Sequence, residues 1–239
     1  MSGHSKWSTI KHKKAKEDAK RGKIFTKLIR EITVAAKHGG GDPEGNPRLR
    51  LIIEKSKSVN MPQDNIARAI KKGVGGLDGV NYEESTYEGC GPHGTAVIVE
   101  VLSDNKNRTV ADVRHIFTKM GGRLAETGAV SWMFEHKGVV HAQSGSMTED
   151  ALLELLLEYA VDDVVLNDGV FTITCAISDL ESVKKAIDQV KLKVEHAGIE
   201  WVAKTSVKLD SSEHEDAVVK MLEALEDLDD VQNVYSNLG

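Results

Sequence analysis

Residues 138–203 read GVVHAQSGSMTEDALLELLLEYAVDDVVLNDGVFTITCAISDLESVKKAIDQVKLKVEHAGIEWVA, and this stretch decides the fold. Val139–Ala142 alternates as a strand. Thr148 then stands where a helix N-cap belongs, with Glu149 and Asp150 in the first turn, where a helix dipole favours negative charge. The Leu-rich run that follows (Leu152, Leu153, Leu155, Leu156, Leu157) reads as helix. Strands are predicted near Asp163–Leu166 and Val170–Ala176, a helix over Leu180–Val190, and a strand around Ile199–Val202. The order β-α-β-β-α-β is that of a ferredoxin-like domain.

Working upstream, Tyr82–Glu88 and Thr95–Leu102 read as strands, the second apolar enough (Ala96, Val97, Ile98, Val99, Val101) for a buried sheet. A helix from about Arg108 to Met120 places Val110, Val113 and Phe117 inward and stops at Gly121-Gly122, and Val130–Phe134 is strand-like. Downstream, Ser206–Leu209, a helix through Val218, Leu222 and Leu225, and a strand Val231–Tyr235 are too few to fold alone. They are expected to complete the sheet begun at residue 82, which makes the middle domain discontinuous.

The first region is all-helical. Phe25, Leu28, Ile29, Ile32 and Ala36 form one apolar face, with Lys23, Lys27, Arg30 and Lys37 opposite. Gly39-Gly40-Gly41 ends that helix; Asn46-Pro47 caps and opens a second carrying Leu49, Ile52 and Ile53. A third opens near Pro62 with Ile66 and Ile70, and ends in Lys71-Lys72, a pair that the helix dipole already explains. Four glycines between Gly73 and Gly79 mark a linker. The expectation is an α+β protein of three domains: 1–78 helical; 79–135 with 205–239, α/β and split; 136–204 ferredoxin-like α/β.

Charge divides along the same lines. Residues 1–72 carry 18 Lys+Arg against 7 Asp+Glu, a net of +11, while residues 73–239 carry 13 against 30, a net of −17. A cationic head on an anionic body makes a polyanion the first partner to consider, since each Lys or Arg placed on a phosphate releases counterions. Nine cations fall at positions 6–27, namely Lys6, Lys11, Lys13, Lys14, Lys16, Lys20, Arg21, Lys23 and Lys27, against only Glu17 and Asp18. With Trp7 as a stacking platform for a base, and Arg30, Arg48 and Arg50 from the first two helices, they make up the expected nucleic-acid-binding set. The bland alternative is a solvated, lysine-rich helix end. A helix lying on an anionic membrane is disfavoured, because the modest apolar face is needed for packing.

Other motifs point away from catalysis. EGCGPHG at 88–94 satisfies GxGxxG, but a strand follows it rather than a helix, so its glycines read as a tight strand connection and not a dinucleotide fingerprint. Cys90 and His93 lack an orienting partner, and Cys175 reads as a small core residue. The histidines show no metal-ligand spacing, and the acidic residues of 213–230 read as a solvated face. No catalytic residue, metal or cofactor is expected. Two distant cysteines suit a reducing cytosol. A mitochondrial presequence is weighed because no acid precedes Glu17, but the cations there are Lys rather than Arg; the cytoplasm is the expected location and no membrane partner is expected.

Five blocks carry a resemblance: GHSKW at 3–7, KRGKIFTKLIREITVAAK at 20–37, GGGDPEGNPRLR at 39–50, NMPQDNIARAIKKG at 60–73, and YEGCGPHGTAVIVEVLSDNKNRTVADVRHIFTKMGG at 87–122. With ALEDLDDVQNVYSNL at 224–238 they closely resemble the YebC family, which includes the mitochondrial translational activator of cytochrome c oxidase subunit one. Residues 137–205 match only in general pattern, and Cys90 and His93 depart from it. The resemblance implies a helical N-terminal domain followed by two α/β domains around a cleft, with the tail returning to the middle one. It implies a DNA-binding transcriptional regulator or a ribosome-associated translation factor, and no catalytic residues. Lysine-rich contacts suit phosphate attraction and structured RNA better than base readout, whereas the family's usual description favours DNA. A small-molecule sensor or enzyme using the cleft between the two α/β domains is the alternative from another class.

Overall fold

The computed structural model describes residues 6–7, 21–75 and 81–239. The helical domain comprises α1 (Arg21–Gly39), α2 (Pro47–Ser58) and α3 (Gln63–Gly73). The Asn46-Pro47 signal works as the sequence suggests: Asn46 Oδ1 accepts from Leu49 N at 3.1 Å, and its Nδ2 donates to the Ala35 and Gly40 carbonyls, both at 2.9 Å. One buried amide thus starts α2 and clamps it to the end of α1. Leu28, Ile32, Leu49, Ile52, Ile53 and Ile66 fill the core between the three helices. Gly73 belongs to this packing as well as to the linker, since a Cβ there would lie 2.3 Å from the Thr33 carbonyl oxygen.

The middle domain is a sheet of order β3-β1-β2-β8, antiparallel throughout. Its strands are β1 (Glu83–Cys90), β2 (Ala96–Ser103), β3 (Arg123–Ala125) and, from the far end of the chain, β8 (Val231–Ser236). The glycine run at 89–94 makes the β1–β2 hairpin, turning through Pro92–Gly94. Helices α4 (Lys106–Lys119) and α7 (Ser212–Glu226) cover one face of the sheet, meeting Val97, Val99 and Val101 with Val113, Phe117, Val218, Leu222 and Leu225. The alternate residues of β2, Ala96 and Ile98, face the other way and, with Val130 and Tyr235, pack against Phe134 and Ala203 of the third domain. Period-two alternation therefore buries both faces of β2, each against a different neighbour. Leu, Val and Phe side chains buried this way each contribute roughly 1.5–3 kcal/mol.

The third domain has the expected β-α-β-β-α-β order: β4 (Phe134–Gln143), α5 (Glu149–Leu155), β5 (Val161–Asn167), β6 (Val170–Cys175), α6 (Leu180–Gln189) and β7 (Val194–Ala203). Its sheet order, β5-β6-β4-β7, is the ferredoxin-like one. Thr148 Oγ1 accepts from Ala151 N at 3.3 Å as the cap of α5. Cys175 is a core residue, and burial pushes its thiol up to about 11.

Four expectations need correction. Val130–Phe134 is not a strand: the chain turns there, because the buried Glu88 carboxylate accepts the N–H groups of Gly128, Val130 and Ser131 at 2.7, 2.7 and 2.8 Å and so takes the donors a ladder needs. Ser206–Leu209 amounts to a single bridge, Val207 to Leu238. β3 is an element the sequence reading lacks. The acidic run at 213–230 is not wholly solvated, since Asp230 is 7% exposed and ringed by partners.

Candidate nucleic-acid interface

The expected contact residues divide into several groups. Lys11, Lys13, Lys14, Lys16 and Lys20 lie outside the described residues, and Arg21 opens α1. Lys6 is exposed and forms an ion pair with Glu215 of α7, while its backbone N–H donates to the Leu238 carbonyl at 2.9 Å.

Trp7 is a correction. Its indole is 2% exposed and packs in the middle-domain core beside Val97 and Val234, with Nε1 donating to the Val234 carbonyl at 3.0 Å. An aromatic inside a core is unavailable as a stacking platform. Here it fastens the start of the chain to its last strand.

The cations of α1 at 23, 27 and 30 share one face by helical spacing, and that face meets the C-terminal end of α7. Lys23 Nζ donates to the Asp227 carbonyl at 3.0 Å, and Lys27 Nζ to that of Glu226 at 2.7 Å. Arg30 Nη1 reaches the Asp229 carbonyl at 2.6 Å and Asp230 Oδ1 at 2.8 Å. The last carbonyls of a helix carry the negative end of its dipole, so a row of cations is the natural cap for them. The sequence places this row opposite the apolar stripe, and the surface that covers most of it comes from about 200 residues later in the chain. Lys23 stays exposed, but Arg30 keeps only 14% of its side chain in contact with solvent.

Asp230 is the hub of this junction. Besides Arg30, its Oδ2 accepts from Arg108 Nη2 at 2.8 Å, Thr109 Oγ1 at 2.6 Å and Ser103 Oγ at 3.0 Å. Burial alone raises a carboxyl's pKa, yet these donors outweigh it and hold Asp230 below the ordinary value. The same balance at Glu88, burial against three backbone N–H groups, leaves that carboxyl depressed too.

Arg48 lies in the interdomain cleft, where it pairs with Glu84; that hydrogen bond raises the guanidinium pKa further. Arg50, half-buried on α2, shares a face with the exposed Lys57 two turns on. Arg68 and Lys71, one turn apart on α3, are also exposed. Lys57, Arg68 and Lys71 were not among the expected residues. The signal for them is that each lies off its own helix's buried stripe, Leu49–Ile52–Ile53 on α2 for Lys57 and Ile66–Ala69 on α3 for Arg68 and Lys71. The helical domain thus exposes Lys57, Arg68 and Lys71 and leaves Arg50 half-buried, side chains of types that suit phosphate contact.

A basic helical domain, a split α/β domain completed by the chain's tail, and a ferredoxin-like domain between the two parts define a three-domain α+β architecture. Residues 5–76 match the TACO1/YebC N-terminal domain, and residues 82–238 match the TACO1/YebC second and third domains. The chain belongs to the TACO1/YebC family. It is 56% identical over 237 residues to a probable transcriptional regulatory protein of Geobacter sp. strain M21, covering 99% of this chain and 95% of that protein. Identity is 53% over 237 residues to another so described from Desulfosudis oleivorans, covering 99% and 96% respectively. A crystal structure of a conserved hypothetical protein from Aquifex aeolicus superposes with a TM-score of 0.86 at 46% identity, covering 94% of this chain and 93% of that one. These names point to a regulatory protein rather than an enzyme. No helix among the described residues is long and apolar enough to cross a membrane.

Proposed function

We propose that this chain is a non-enzymatic, cytoplasmic regulator of gene expression that binds nucleic acid through the phosphates. The contact residues are the Lys and Arg side chains of the basic N-terminal region, 6–27, together with Arg50, Lys57, Arg68 and Lys71 of the helical domain. The observation that carries this reading is the charge division, +11 over residues 1–72 against −17 over the rest. Counterion release rewards the head for lying on a polyanion, and the body is repelled by the same polymer, so binding is oriented end-on. Lysines at most positions favour backbone contact over base readout, which suits structured RNA, including that of the ribosome; the names of the relatives favour duplex DNA.

The test is co-sedimentation with purified ribosomes in competition with duplex DNA across a salt series, using the wild-type chain and the triple variant Lys13→Glu, Lys14→Glu, Lys20→Glu. The expected result is retention on ribosomes at a salt level that strips the DNA. The triple variant should lose both partners while keeping its helical circular dichroism. Full binding by a folded triple variant would overturn the assignment of the surface. Salt-resistant binding to particular duplexes, without ribosome retention, would make the protein a DNA regulator.

A further inference from the structure

Two of the three tryptophans are engaged with the body. Trp7 lies in the middle-domain core, and the half-buried Trp201 gives its indole N–H to Glu100 at 3.0 Å. Trp132 is different, at 68% exposed. Leaving so large an aromatic in water forgoes more burial than almost any other side chain would, and an open indole is the side chain most often found anchoring a binding surface.

The turn that carries Trp132 is pinned from several directions. Val130 and Phe134, two residues to either side, are core residues. Glu88 of β1 holds the N–H groups of Gly128, Val130 and Ser131. Gly128 turns the chain at φ +90°, a conformation that only glycine adopts readily. From just beyond β7, Lys204 N donates to the Met133 carbonyl at 2.9 Å, and Lys204 Nζ to the Trp132 carbonyl at 3.0 Å. The indole is tied down as well, since Trp132 Nε1 donates to the Ala129 carbonyl at 3.1 Å. A ring held in this way has little freedom left to lose when something covers it.

Its surroundings decide what fits. With the N–H spent internally, the indole offers only its π-faces and its apolar edge. Within residues 126–133 it is the only exposed large apolar side chain; Glu126, Thr127 and Gly128 before it, and Lys204 and Thr205 beyond β7, are exposed and polar or small. A protein partner seats an aromatic anchor within a wider apolar core, which this turn lacks. A nucleobase matches the turn better, because its face is flat and apolar while its edges stay polar and wet. Lys204 stands at the rim, with one of its three N–H groups on the Trp132 carbonyl and an exposed ammonium to set on a phosphate.

We propose that Trp132 stacks on one unpaired base of a structured RNA while Lys204 takes an adjoining phosphate. Stacking needs no net positive charge, so it is open to the acidic body where phosphate attraction is not. The inference rests on the nucleic-acid reading above, and adds to it a contact outside the basic head and a preference for unpaired bases.

The experiment uses the full chain, an oligo(U) strand of about 15 nucleotides, whose bases stack little on one another, and an RNA duplex of similar length. Tryptophan emission reports on the ring, and anisotropy of the labelled RNA gives the affinity. Saturable quenching by oligo(U) is expected in the wild type and is expected to vanish in Trp132→Leu, which keeps an apolar side chain without a π-face. The same variant is expected to bind oligo(U) about tenfold more weakly and the duplex unchanged. Because the position is exposed, its urea midpoint should match that of the wild type. Unchanged affinity of Trp132→Leu for oligo(U) would overturn the proposal and leave the basic head standing. An equal loss for strand and duplex would also overturn it, since the contact would then be blind to pairing. Self-association seen by sedimentation velocity and abolished by Trp132→Leu would give the ring to a second copy of the chain, against the proposal. Trp132-dependent binding of oligo(U) without any binding of the duplex would support the stack and refute the phosphate-binding head. Binding of neither polymer would overturn both.

Discussion

Replacing Trp7 by Ala separates two roles that the sequence alone leaves confused. In the structure the indole is 2% exposed, lies among Val97, Val234 and Leu238, and donates to the Val234 carbonyl. Truncating a buried tryptophan costs about 3–5 kcal/mol, a figure that includes the cavity left behind. The unpaired carbonyl adds about 1 kcal/mol where water cannot reach it. A loss near 5 kcal/mol, with a denaturant slope of about 2 kcal/mol/M, lowers the urea midpoint by roughly 2.5 M. Trp7→Phe keeps most of the ring and loses the hydrogen bond, so its midpoint is expected much closer to that of the wild type. A base-stacking tryptophan behaves differently: its removal costs about 1–3 kcal/mol per base in affinity and little in stability. Urea titrations of the three proteins, paired with RNA-binding isotherms in native buffer, distinguish the cases. An unchanged midpoint for Trp7→Ala, together with a tenfold loss of affinity, would refute the assignment of Trp7 to the core.

Two further outcomes follow from the buried carboxylates. Asp230→Ala strands Arg30 against the middle domain and removes the acceptor of Ser103 and Thr109; a destabilisation of about 3 kcal/mol is expected by urea titration, with the largest rise in hydrogen exchange along α1 and α7. Asp230 and Glu88 both have folded pKa values below their ordinary 3.8 and 4.5. Their contribution is therefore complete above those values and is lost as pH falls through the depressed folded ones. Thermal melts in acid are expected to decline below about pH 4.5, and Glu88→Gln, which cannot titrate, to flatten that decline.

Much of the fold was legible because its signals are local. The Asn46-Pro47 start, the Thr148 cap, the glycine stops and the alternation of β2 each depend on a few neighbouring residues. The return of the tail to the middle domain was legible for another reason: a lone helix and strand cannot bury their apolar faces without a host. Legibility ended where distant surfaces meet. Lys23, Lys27 and Arg30 sit opposite an apolar stripe, which in a sequence means solvent; in the molecule it means the carbonyl end of α7. Trp7 among lysines resembled a stacking residue, and nothing nearby in the sequence reveals the strand that buries it. Glu88 converted an expected strand into a turn by collecting three N–H groups from 40 residues away. One signal was present and unused. Glu100 interrupts AVIVEVLS, and a single carboxylate inside a buried strand must have partners waiting for it.

The split middle domain has a consequence for the order in which the molecule is made. During synthesis β2 emerges as one edge of its sheet, and the strand that will cover that edge is 128 residues behind it, counted from Ser103 to Val231. The intervening ferredoxin-like domain has all its strands in one continuous segment and is free to fold first. The middle domain must wait, with a row of valines and unpaired amides offered to any passing strand. Its β1–β2 hairpin can pair locally, but its sheet is completed only by a long loop closure, so the domain is expected to fold more slowly than the ferredoxin-like one. Only when the final strand docks does Lys6 gain the Leu238 carbonyl and Trp7 the Val234 carbonyl. Lys6 and Trp7 are thus fastened to the body by residues made more than 200 positions after them, and a nascent chain that has not reached β8 lacks both bonds.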